Sequence, residues 1–232
     1  MKPVLLIGVN FLRTQWLVVT VMATYMVVIS GFFALHEERQ EILFYLQIHA
    51  TYMVFLAMVV AVSAIYTERR TRRILAVLSK GIHRWQYMAG LLSGSAMMSA
   101  ILCLLLGVIT AWMCDRVGYP SPSLSVLVLD IFLGAVAAAA VALFYSAFLH
   151  PLLATAATSV TLMLPYVLDV AYARASQLLF PAVGLANLVQ RFNFQPLRNA
   201  WPLAGAATLW IIVFWAAGTA VFSRRDVTIS PE

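Results

Sequence analysis

Apolar residues fall in long runs, and the polar positions between them are few and clustered. Six runs, at roughly 16–35, 42–66, 87–113, 124–149, 152–173 and 202–222, reach the length a bilayer demands, about 20 residues for a spanning helix. The pattern predicts an all-α polytopic membrane protein of six transmembrane helices, forming a single transmembrane domain over residues 1–232. The second and third runs are long enough to tilt or to project beyond the hydrocarbon. Residues 1–15 form a shorter apolar segment with Lys2, Arg13 and Trp16 placed to anchor it. This predicts an interfacial helix rather than a plain extension of the first span.

Between the fifth and sixth runs, residues 174–201 carry short apolar pieces broken by Pro181, Gly184, Gln190 and Pro196. Such a stretch fits an external re-entrant helical hairpin better than a seventh span. The connection at His150–Pro151 is nearly absent, so spans four and five should form a tight antiparallel hairpin. The start of the chain lacks a small-x-small cleavage site, and its apolar character continues into a full span, so it is expected to be retained.

Composition supports the pattern: 63% of the residues are hydrophobic and 10% charged, against about 25% charged in soluble domains. The net charge of +6 points to topology rather than to nucleic acid. With both termini inside, the inner side holds Lys2, Arg13, Arg69, Arg70, Arg72, Arg73, Lys80, Arg84, Arg224 and Arg225; the outer side holds Arg39, Arg116, Arg174, Arg191 and Arg198. That asymmetry predicts cytoplasmic N and C termini in a cell inner membrane.

The chain has no HExxH and no GxSxG, and the lack of a phosphate loop excludes intrinsic nucleotide hydrolysis of the common kind. Cys103 and Cys114, eleven apart on one predicted helix, stand roughly 16 Å from each other, too far for a disulfide. His36, His49, His83 and His150 are scattered, and no shared metal site is expected. Asp130 and Asp169 each fall inside a span, roughly two turns from its outer end. They would line an outward path or relay protons, or else pair with Arg116, Arg174 or Arg191 or reach the interface. Gly90 and Gly94 form a GxxxG at the start of span three, and Gly134 with Ala135 and Ala137 to Ala140 gives span four a smooth face, both suited to close helix packing. Pro165 is expected to kink span five.

The densest charge lies at 67–90, TERRTRRILAVLSKGIHRWQYMAG. As a helix beginning at Glu68, it places Ile74, Leu75, Val77 and Leu78 on one stripe and the arginines opposite. A break at Ser79–Gly81 follows, and Arg84, Trp85 and Tyr87 lead into span three. An ordinary positive-inside loop needs neither the helix nor the break, so a short helix presenting a surface to a cytoplasmic partner is predicted over 67–86.

From Glu68 through Leu92 the arrangement E-R-x(5)-L-x-x-L-S-x-G-I-x-R-x-x-Y-x-x-G-x-L resembles the first cytoplasmic loop of type-2 ATP-binding-cassette exporter permeases, with matches at Glu68, Leu75, Leu78, Ser79, Arg84, Tyr87 and Gly90. It departs at Gly81, where that family commonly has proline, and at Arg72, where it often has glycine. The terminal Phe222, Arg224, Arg225 and Asp226 are also similar to that family. The resemblance implies a permease subunit, not itself an enzyme and holding no cofactor, that dimerises with a second copy or paralogue and docks separate cytoplasmic ATP-binding subunits carrying ATP and magnesium. It implies ATPase coupling through Glu68, Arg69, Arg70, Arg72, Arg73, Leu75, Leu78 and Arg84. An external partner protein and membrane lipids complete the expected partners, with no nucleic acid. Two alternatives stand beside it: an accessory or heme-export-type subunit without its own path, and a gradient-driven transporter using Asp130 and Asp169.

Overall fold

The computed structural model describes residues 2–33, 39–70, 81–118, 123–167 and 200–224. Within them the chain forms seven α-helices and no strand. They are α1 (Lys2–Thr14), α2 (Trp16–Phe33), α3 (Arg39–Arg70), α4 (Arg84–Arg116), α5 (Leu124–Ser146), α6 (Pro151–Val167) and α7 (Ala200–Arg224). Five of these, α2, α3, α4, α5 and α7, are long and apolar enough to cross a bilayer. The chain is therefore a helical, multi-pass membrane protein. The fifth predicted span is described only as α6, whose apolar part runs over Pro151–Leu164. The re-entrant stretch expected at 174–201 lies almost wholly outside the described residues, as does Asp169.

α5 is the hub. It packs against α3, α4, α6 and α7, and 72% of its apolar window is buried, against 11% for α2 and 17% for α7. Its sequence explains the position. Every residue from Gly134 to Leu143 is buried, and most are alanine, so neighbouring backbones approach closely on several sides. Lipid supplies little hydrophobic drive between helices, so dispersion across such smooth contacts does most of the holding. α3 brings its own small residues, Ala50, Ala57, Ala61 and Ala64, into the same buried cluster.

Helix ends follow local chemistry. Gly118, at φ 66, closes α4 in the left-handed conformation that glycine adopts without strain, and Arg116 lies over the Trp112 ring one turn earlier, 5.3 Å from its centroid. α5 and α6 are joined by residues 147–150 alone, with Pro151 in the first turn of α6, where a missing N–H costs nothing. Across this hairpin the Tyr145 hydroxyl and Thr161 Oγ1 lie 2.9 Å apart. Ser159 of α6 donates to the Met58 sulfur of α3 at 3.5 Å. Cys103 and Cys114 are both buried free thiols on α4.

Candidate functional site

The end of the bundle where α3 finishes, α4 begins and α7 finishes gathers most of the described cations, and every part of the sequence motif that can be placed lies there. α3 does not stop at the end of its apolar run. It continues through Thr67, Glu68, Arg69 and Arg70 as one helix of 32 residues, so the predicted boundary at Glu68 is displaced. Glu and Arg are good helix formers, and nothing in this stretch breaks a helix. A helix of that length is about 48 Å long, well beyond the roughly 30 Å hydrocarbon core. Glu68 is half-buried. Arg72, Arg73, Leu75 and Leu78, with the rest of 71–80, lie outside the described residues.

The chain returns at Gly81, whose φ of 76 suits glycine. His83 is extended and precedes α4, and its backbone N–H donates to Gln86 Oε1 at 3.1 Å, satisfying one of the open donors of the helix start. Arg84 then turns inward rather than out. Its Nη1 donates to the carbonyl oxygens of Phe222 at 3.1 Å and Ser223 at 2.7 Å. Those carbonyls belong to the last turn of α7, where helix acceptors are unpaired and a cation is favoured by the helix dipole. One turn on, the wholly buried Tyr87 ring stacks on Phe222 at 5.9 Å and 20°. Gly218 of α7 lies against Phe144 of α5 and Met88 of α4, where an added Cβ would come within 3.3 Å of both.

Gly90 and Gly94 meet a partner that sequence spacing did not name. They receive α1. A Cβ on Gly90 would lie 2.6 Å from the Ile7 side chain, and one on Gly94 2.6 Å from Phe11 Cδ1 and 2.9 Å from the Gly8 carbonyl. Gly8 itself abuts Ser93 and the backbone of Gly90 and Gly94. Contacts climb in the same sense on both helices, Val4 and Ile7 at Gly90, then Gly8 and Phe11 at Gly94. α1 therefore runs alongside the first turns of α4, with Phe11 buried between them. α1 and α2 meet at Gln15, whose N–H is shared between the Phe11 and Leu12 carbonyls at 3.1 Å each. The Tyr66 ring of α3 meets His150 in the α5–α6 turn at 5.8 Å.

The two helix ends that flank residues 71–80 thus each meet other parts of the bundle. One is the extended end of α3, tied to the α5–α6 turn. The other is the start of α4, locked to α1 through glycines and to α7 through Arg84 and Tyr87.

Asp130 lies apart from this junction. It is fully buried in α5, and neither carboxylate oxygen has a hydrogen-bond partner among the described residues. Leu133, one turn along the same face, packs on Leu203 and Ala207 of α7. Arg116, one of the expected partners, is exposed over Trp112 instead. His49, which the sequence grouped with scattered histidines, sits in the middle of α3 and is completely buried; nothing in its spacing marked it out. Among the described residues no three His, Cys, Asp or Glu side chains group as metal ligands. Compared with known proteins, the chain matches no family model and no curated sequence.

Proposed function

We propose that this chain is the membrane subunit of an ATP-driven exporter, resembling type-2 ATP-binding-cassette permeases, and that residues 67–86 couple it to a separate cytoplasmic ATP-binding subunit. In this reading the chain crosses the inner membrane six times with both ends inside, α1 sits at the cytoplasmic interface, and two permease copies face two ATPases. ATP and magnesium belong to the partner. Nucleotide binding draws the ATPases together, and the two coupling segments move with them. The switching energy is the difference in nucleotide affinity between the two conformations.

The observation that carries the reading is the packing of the two helix ends that flank residues 71–80. α3 extends past its apolar run as far as Arg70, and Arg84, Tyr87, Gly90 and Gly94 join the start of α4 to α7 and α1. Contacts of this kind would pass a movement of the segment on to α1 and α7. Reversal of Arg69, Arg70, Arg72 and Arg73 to Glu, followed by mild-detergent co-purification, tests it: the ATPase subunit should be lost from the variant and present with the native chain. Unchanged assembly and ATP turnover in the variant would remove the coupling role.

Asp130 favours a second reading, a gradient-driven transporter, because a buried acid without a described partner is the kind of group proton relays use. Asp130→Asn combined with Asp169→Asn separates the two. It abolishes function in the gradient-driven case and leaves an ATP-driven machine largely intact.

A further inference from the structure

The coupling reading leaves His49 without a use, and its surroundings are specific. A backbone carbonyl can only accept, so the 2.7 Å contact between His49 Nδ1 and the Tyr45 carbonyl places the ring hydrogen on Nδ1. Nε2 then carries a bare lone pair. It is buried, and no donor reaches it among the described residues. Three tyrosine rings frame it: Tyr45 at 4.0 Å, Tyr25 at 5.6 Å and Tyr52 at 6.3 Å between centroids. None of their hydroxyls serves it. That of Tyr45 donates to the Met26 carbonyl at 3.2 Å, and neither Tyr25 nor Tyr52 hydrogen-bonds to Nε2. An acceptor without a described donor beside three phenols is an unusual arrangement, because buried polar atoms are nearly always paired.

The seam between α2 and α3 also sets what can reach it. Tyr25 and Tyr52 are partly exposed on the outside of the bundle, so the approach is from lipid. α2 carries no charged residue, and neither does α3 from Ile42 to Thr67, which leaves nothing to hold an ionised ligand. α2 is also the least buried of the five spans, so parting it from α3 costs chiefly the Tyr45–Met26 hydrogen bond and the Phe33–Tyr45 ring contact. We infer that this seam binds a neutral, membrane-soluble phenol, of the hydroquinone kind, whose hydroxyl donates to His49 Nε2 while its ring lies among Tyr25, Tyr45 and Tyr52. The site goes beyond the coupling reading and stands or falls without it.

The test uses the full chain labelled with 15N-histidine in phosphatidylcholine nanodiscs. Phenol is titrated in, and anisole, which has the same ring but no hydroxyl hydrogen, serves as the comparison. The His49 Nε2 resonance is assigned by its loss in His49→Asn, and protection from a water-soluble paramagnetic reagent sets it apart from the exposed His83 and His150. Phenol should move that resonance upfield and saturably while anisole leaves it in place. Tyr52→Leu should weaken the phenol response at least several-fold. No phenol response, an equal response to anisole, or an unchanged affinity in Tyr52→Leu would each overturn the inference.

Discussion

The α1–α4 contact is testable by a single methyl group. A Cβ placed on Gly94 would stand 2.6 Å from Phe11 Cδ1 and 2.9 Å from both Phe11 Cβ and the Gly8 carbonyl oxygen. The phenyl ring can rotate away, but the Gly8 carbonyl and Phe11 Cβ are fixed to the α1 backbone. Restoring an ordinary contact of about 3.5 Å therefore requires α1 to withdraw by roughly 0.5 Å or more along its seated length. Overpacking of this kind costs about 1–3 kcal/mol, which corresponds to a roughly 5- to 150-fold rise in the detached fraction of α1. Ile7→Cys, shielded by Gly90 in the native contact, reports it through its rate of maleimide labelling in vesicles. Cys103 and Cys114 are buried and contribute little background. Gly94→Ala should accelerate labelling within that range. Gly31→Ala and Gly205→Ala, which meet nothing within 4 Å, should leave the rate unchanged. Equal rates in Gly94→Ala and the native background would refute the argument that these glycines exist to admit α1.

Other expectations follow from the same contacts. Arg84→Ala removes two hydrogen bonds from a cation to the α7 terminus, each worth about 1.5–3 kcal/mol when buried and less here, where the guanidinium is partly exposed. Hydrogen exchange should quicken in the last turn of α7, with Arg84→Lys restoring part of the protection; no change in that turn would contradict the capping role. Tyr87→Leu keeps an apolar side chain but loses the stack on Phe222, so it should destabilise by about 0.5–1.5 kcal/mol beyond the loss of area, read as a lowered midpoint of thermal unfolding in detergent. Asp130→Asn alone should retain ATP-linked function under the proposed reading, and loss of coupled turnover in that variant would move the weight to the gradient-driven alternative.

How much of this was legible in the chain depends on the range of the contacts involved. Uninterrupted apolar length is a local property, so α2, α3, α4, α5 and α7 could be read directly, with ends displaced by a few residues. α3 outruns its apolar stretch because Glu68 and Arg69 continue a helix readily, which hydrophobic patterning alone does not register. The glycine pair announced a close contact but not with which helix. A complementary Gly8 on a 13-residue helix has no periodic signature that names its partner. Arg84 was legible as a cation in a motif, yet its hydrogen bonds go to residues 138 and 139 positions away, which no local pattern can foresee. The same holds for His49, whose meaning comes from Tyr25 on another helix.

The central position of α5 carries a consequence for biogenesis. A chain made from its N-terminus delivers α2, α3 and α4 to the bilayer before the helix that touches most of them exists. Each of the three is hydrophobic enough to insert independently, so the early intermediate holds α3 with Ala50, Ala57, Ala61 and Ala64 still facing lipid. α1 can already seat on Gly90 and Gly94 at that stage, since both partners have been synthesised. α3 and α4 would then close on α5 as it arrives, with α6 following across a four-residue turn and α7 completing the assembly when Arg84 takes hold of its final carbonyls.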